Sequence, residues 1–244
     1  MKPSSQQSPV AVQAKPSKLR LEHLRKIEPL TNNQGIVFDS YKKDNNLVLS
    51  GSAGTGKTFL GMYLGLQAVL DKTNQYEKVI IVRSIVPTRD IGFLPGTEEE
   101  KRAVYELPYM SIATELFDDK TAYEKLVAAG QIDFMTTSFI RGTTLRNAII
   151  VVDEMQNMVF RELDSVITRV GDNCKFIMCG DYYQSDFDKK NDKEGILKFL
   201  NIIDNMKKFT HVEFTWKDIV RSDLVREYIM TKEMLEGHTG NGKV

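Results

Sequence analysis

The sequence predicts an α/β fold whose mostly parallel sheet is covered by helices on both faces. Apolar runs of strand length recur along the chain, helical segments separate most of them, and a glycine-rich turn joins the first run to an apolar helix. In sheets of this kind ligands bind at the carboxyl ends of the strands.

Residues 1–18 are rich in Ser, Gln, Pro and Lys and poor in large apolar side chains, which predicts a disordered tail ahead of a single domain over 19–244. A helix is expected from Leu19 to Ile27, a turn at Pro29-Leu30-Thr31, and a second helix from Asn33 to Lys43. Asn46 to Ser50 reads as the first strand and Phe59 to Leu70 as the helix after it. Further strands are expected at Val79–Val82, Ile132–Met135, Ala148–Val152, Lys175–Cys179 and Val212–Thr215, several of them continuous apolar runs that suit strands covered on both sides. Ser222 to Leu235 starts with Ser-Asp and repeats apolar residues at helical intervals, which predicts a final amphipathic helix before a frayed end from Gly237.

A chain of 244 residues with 41% hydrophobic composition can bury one substantial core. Lys+Arg and Asp+Glu are equal at 33 each, so any nucleic-acid binding must use a local patch rather than the field of the whole molecule. Cys174 and Cys179 flank a strand-like run at an offset of five and point to opposite faces, which argues against a disulfide or metal pair and suits a reducing compartment. No apolar stretch is long enough to cross a bilayer and the N-terminus lacks a secretory segment, so the expectation is a soluble cytoplasmic protein without a membrane partner. His23, His211 and His238 are scattered without an evident nucleophile beside them, and no hydrolase triad is expected. Trp216 follows a predicted strand and reads as core or edge packing.

The chemistry concentrates at the strand tips. Gly51-Ser52-Ala53-Gly54-Thr55-Gly56-Lys57-Thr58 is a complete phosphate-binding loop between a strand and a helix. Its glycines allow successive N–H groups to turn inward around phosphates, Lys57 reaches the β- and γ-phosphates, and Thr58 offers a hydroxyl to Mg²⁺. Asp153 and Glu154 end the most apolar run in the chain, where two carboxylates are costly without a cation nearby. The expected roles are metal binding by Asp153 and water activation by Glu154, which favour hydrolysis over simple binding. At the end of another strand, Gly180-Asp181-Tyr182-Tyr183-Gln184 places an amide, Gln184, where it can sense the γ-phosphate or the attacking water. Phosphoryl transfer also calls for an arginine, and with room for one core only, Arg221 or else Arg169 is expected to supply it from a neighbouring subunit or by folding back.

Asp153-Glu154-Met155-Gln156 resembles the Asp-Glu-Ala-Gln motif of superfamily-one helicases, and Gly180 to Gln184 resembles their Gly-Asp-x-x-Gln element. With Gly92-Phe93-Leu94-Pro95-Gly96 followed by Glu100-Lys101, Thr168-Arg169-Val170-Gly171 and Asp218-Ile219-Val220-Arg221, the stretch from about Gln34 to Tyr228 resembles the PhoH-like family of P-loop ATPases, which phages also encode. The resemblance implies a RecA-like fold, ATP and Mg²⁺ as ligands, Gln34 against the adenine edge, and a ring-like homo-oligomer such as a hexamer. Met155 departs from the usual Ala, and Ser222-Asp223 from a His-Pro pair that often follows the arginine.

Three functions compete at this level. One is ATP hydrolysis coupled to single-stranded RNA or DNA, with phosphate contacts from Arg83, Arg89, Arg141 and Arg146. Another is a nucleotide-controlled assembly switch without nucleic acid, and the third a small-molecule kinase, which the water-activating Glu154 disfavours.

Overall fold

The structure is a computed structural model that describes residues 18–84, 98–140, 142–181 and 190–237. Residues 1–17 of the tail expected at 1–18, the Gly92–Gly96 segment, Arg89, Arg141, His238 and Gln184 lie outside the described residues.

Among the described residues six strands form one sheet: β1 (Asn46–Gly51), β2 (Lys78–Arg83), β3 (Ile132–Thr136), β4 (Ala148–Asp153), β5 (Cys174–Cys179) and β6 (Phe209–Phe214). Their spatial order is β3-β2-β4-β5-β1-β6, and every pairing is parallel. Alternate residues of each strand serve opposite faces, as the pleat requires. Leu47, Leu49, Val79, Ile81, Ile149 and Val151 enter one core cluster, whereas Val48, Ile80, Val82, Ile150 and Val152 enter the other. The two cysteines separate in the same way, Cys179 into the first cluster and Cys174 against the second, and both are free thiols.

The first cluster is covered by α1 (Asn32–Lys42), α2 (Lys57–Leu70), α3 (Glu98–Phe117) and α4 (Ala122–Ala128), the second by α5 (Phe160–Thr168) and α6 (Lys190–Asp204). The last helix, α7 (Asp223–Leu235), turns only Ile229 and Glu233 fully inward. Thr31 starts α1 by accepting from the Gln34 N–H with its side chain. In α2, Gly61 and Gly65 face the sheet, where an added Cβ would lie 3.3 Å from Cys179 and 3.1 Å from Val79. Their missing side chains let the helix settle close over the strand tips, which fixes the loop that precedes it.

One expected element is absent. The helix over Leu19–Ile27 is instead a 3-10 turn at Leu21–His23 followed by irregular backbone. Tertiary contacts outweigh the local helical spacing: the Arg25 N–H donates to the Leu116 carbonyl at 2.8 Å, the Ile27 N–H to the Tyr63 hydroxyl at 3.4 Å, and Leu24 and Ile27 pack on the core as a strap.

Candidate active site

The loop between β1 and α2 owes its shape to three glycines with positive φ, Gly51, Gly54 and Gly56. Gly51 has a second constraint, because a Cβ there would fall 2.0 Å from the Phe214 carbonyl oxygen of the neighbouring strand. Lys57 donates to the carbonyls of Gly51 and Ser52 at 2.8 and 2.7 Å. Burial lowers the Lys57 pKa, and nearby carboxylates, Asp181 foremost, push back toward the charged form.

Across the strand tips, β4 ends in Asp153, which is buried. Its Oδ1 accepts from the Thr58 hydroxyl at 2.7 Å and its Oδ2 from the Tyr109 hydroxyl of α3 at 2.8 Å. Glu154 then adopts a left-handed backbone, φ 52 and ψ 42, unusual for a side-chain-bearing residue and found where strand gives way to a 3-10 turn at Met155–Asn157. The Gln156 amide donates to Glu154 at 2.5 Å and accepts from the Asp181 N–H at 2.9 Å, tying the acid to the tip of β5. Desolvation and the Asp153 charge raise the Glu154 pKa, while Arg83 opposes the rise. Met155, the departure from Ala, packs into the core against Gly180, where a Cβ would lie 2.4 Å from its Cγ.

These groups line one cleft of about 700 Å³, large enough for a nucleotide. Ala53 to Thr58, Gln34, Asp153, Glu154 and Arg221 all border it. Arg221 reaches it in the same chain: the Val220 N–H donates to the Gly54 carbonyl at 3.0 Å. Gln34 is only 4% exposed and bridges the strap to the loop, accepting from the Leu30 N–H at 2.8 Å and donating to the Thr55 carbonyl at 3.3 Å. Ser52 faces away, donating to the buried Glu233 of α7 at 2.9 Å. Arg169 and Arg146 belong to the segments that lead into β5 and β4, at the opposite end of the sheet from the cleft.

Two residues stand differently from their reading in the sequence, and a third had none. Arg83 lines the cleft rather than a separate nucleic-acid surface. Tyr109 carries no local motif and becomes visible only through its contact with Asp153. His211 does pair with a hydroxyl: its Nε2 lies 2.7 Å from Ser50 Oγ and its Nδ1 2.9 Å from Asp204. Ser50 is wholly buried, so this row braces β1 against β6 and offers no nucleophile to a substrate.

Thr58 and Asp153 present hard oxygen donors side by side, a set that fits Mg²⁺ held by few protein ligands together with phosphate and water. Among the described residues no group of three or more His, Cys, Asp or Glu forms a metal cage of its own.

The family model for "PhoH-like protein" matches residues 26–233. The chain belongs to the PhoH-like family. It is 32% identical over 204 residues to the PhoH-like protein of Mycobacterium tuberculosis (strain ATCC 25618 / H37Rv), covering 83% of this chain and 57% of that protein. Identity to the PhoH-like protein of Bacillus subtilis (strain 168) is 33% over 190 residues, covering 77% and 58%. The chain thus spans somewhat over half the length of these PhoH-like relatives. Among solved structures, the large terminase of a thermophilic bacteriophage aligns over 83% of this chain and 50% of its own, with 14% identity and a TM-score of 0.49. The Pif1 helicase of Candida albicans aligns over 88% and 46%, with 17% identity and a TM-score of 0.38. In this PhoH-like chain, an all-parallel sheet carries a phosphate loop after β1 and an acidic tip on β4. Among the described residues, no helix is long and apolar enough to cross a membrane.

Proposed function

We propose that this chain binds ATP with Mg²⁺, hydrolyses it, and couples hydrolysis to action on single-stranded RNA or DNA as a homo-oligomer. The observation that carries the first part is the 2.7 Å junction between Thr58 and Asp153, which joins the phosphate loop to the acidic tip. The loop N–H groups and Lys57 hold the phosphates, and Arg221 closes over them from the loop side. Thr58 and Asp153 would hold Mg²⁺, which would supply charge neutralisation for the phosphates. Glu154, oriented by Gln156, takes the proton of the attacking water. Strap residues Ile27 and Leu30 also border the cleft and suit the base, with Gln34 beside them.

The nucleic-acid part draws on the helicase-like order of motifs and on Phe139, which is 63% exposed in the turn after β3 and offers an aromatic face for base stacking. The assembly-switch reading draws on the exposed apolar residues of α7, Leu224, Tyr228 and Leu235.

One experiment tests both parts. Phosphate release is measured with ATP and Mg²⁺, with and without short homopolymer RNA or DNA, for the wild type, Glu154→Gln and Phe139→Ala. Wild-type hydrolysis lost in Glu154→Gln, and stimulation by polymer lost in Phe139→Ala, are the expected results. An unchanged rate with polymer, together with no gel shift at low salt, removes the nucleic-acid part and favours the switch.

A further inference from the structure

The cleft holds a cation that Lys57 and Arg221 do not account for. Arg83 is the last residue of β2 and pairs in register with Asp153 of β4. It stands one strand beyond the metal aspartate, about 4.8 Å away in the sheet, on the side away from the phosphate loop, and it lines the same cleft. The side chain is half-buried, and two tyrosines of α3 hold it. Its guanidinium carbon is 5.7 Å from the Tyr105 ring centroid, and the Tyr109 hydroxyl is close enough to act on its charge. Tyr109 is fully buried and passes its own proton toward Asp153 Oδ2 at 2.8 Å. Arg83, Tyr109 and Asp153 thus lie together at the tips of β2 and β4.

Position along the cleft decides which part of a nucleotide this cation would meet. Gln34, which bonds the phosphate loop at Thr55, lines the cleft with Ile27 and Leu30, while Arg83 lines it on the strand beyond Asp153, away from that loop. A triphosphate threaded past Lys57 toward Thr58 and Asp153 therefore brings its terminal phosphate nearest to Glu154 and Arg83. A guanidinium presents several N–H donors in a plane that matches phosphate oxygens.

We propose that Arg83 is a catalytic cation of this site, acting within its own chain on the terminal phosphate from the metal side of the cleft, with Tyr109 as the positioning residue that holds it. This rests on the reading of the cleft as an ATPase site. It requires no arginine from a second subunit for basal turnover, and it makes α3 a wall of the site.

The test compares wild type, Arg83→Ala, Arg83→Lys and Tyr109→Phe by steady-state ATP hydrolysis. It also measures equilibrium binding of fluorescent ADP and of a fluorescent non-hydrolysable ATP analogue, each with Mg²⁺. Arg83→Ala is expected to lower kcat by about 100-fold or more and to weaken the ATP analogue by about tenfold, while ADP binding stays within about twofold of wild type. Arg83→Lys restores part of both losses, and Tyr109→Phe shows the same selective loss in weaker form. An unchanged kcat, or equal weakening of ADP and the ATP analogue, overturns the proposal, the latter because it marks Arg83 as a brace for Asp153. If Arg83→Ala melts far below wild type, Arg83→Met carries the same comparison. A wild type that binds both nucleotides yet releases no phosphate from ATP defeats the ATPase reading separately.

Discussion

The two walls of the cleft are built by different means. The loop wall is local: Thr55 donates to the Ser52 carbonyl at 3.0 Å and Lys57 to the carbonyls of Gly51 and Ser52, all within a few residues of one another. The acidic wall is assembled from afar, with Thr58 meeting Asp153 across 95 positions, Tyr109 meeting it across 44, and Arg83 brought alongside by strand register. Backbone conformation decides the first wall and sheet assembly the second. Damage to the loop should therefore abolish nucleotide binding, whereas damage to the acidic tip should spare binding and stop turnover.

The largest effects break this contrast most directly. Lys57→Ala is expected to lose nucleotide binding in a fluorescent-nucleotide titration. Glu154→Gln should keep binding and lower kcat by about 100-fold or more. Comparable binding losses in the two variants would show that the walls do not divide the work in this way.

Gly51→Ala probes where the local wall stops being local, since its new Cβ would meet the backbone oxygen of Phe214 on β6. A cost of about 1–3 kcal/mol is expected, read as a lower urea midpoint, and a midpoint equal to wild type would show that β6 can move aside. Glu233→Ala sharpens the comparison from α7. It strips acceptors from Ser52 and from the Trp216 indole N–H, 2.5 Å away, at about 1–3 kcal/mol. A thermal midpoint lower by roughly 2–4 °C per kcal/mol is expected for a chain of this size. Trp216 thus packs at the sheet edge, as its place after a strand suggests, but its polar atom serves the support behind the loop.

The smallest effect belongs to Ser50→Ala. Loss of the His211 hydrogen bond should cost about 0.5–1.5 kcal/mol and leave hydrolysis within about twofold of wild type. A larger loss of turnover would give the Ser50–His211–Asp204 row a part in function.

Much of the fold could be read in advance because its signals are short-range. Continuous apolar runs mark buried strands, and the glycine pattern of 51–58 marks a phosphate cradle wherever a strand and a helix flank it. The strap at 19–27 misleads for the same reason: its apolar spacing suits a helix, and only contacts with Leu116 and Tyr63 draw it into irregular backbone. Tyr109 is hidden more deeply, since a tyrosine inside a helix that also contains Pro108 carries no local mark of its partner 44 positions away.

By itself the sequence determined the parallel α/β class, the phosphate loop, the acidic pair and the family. Each of these is written in neighbouring residues, and each follows from local conformational limits or from the alternation of buried strands. Only the tertiary structure decided the strand order that sets β2 beside β4, and with it the row from Arg83 through Tyr109 to Asp153. Strand order is a property of the whole sheet, fixed by packing among segments far apart in the chain, and no local pattern encodes it.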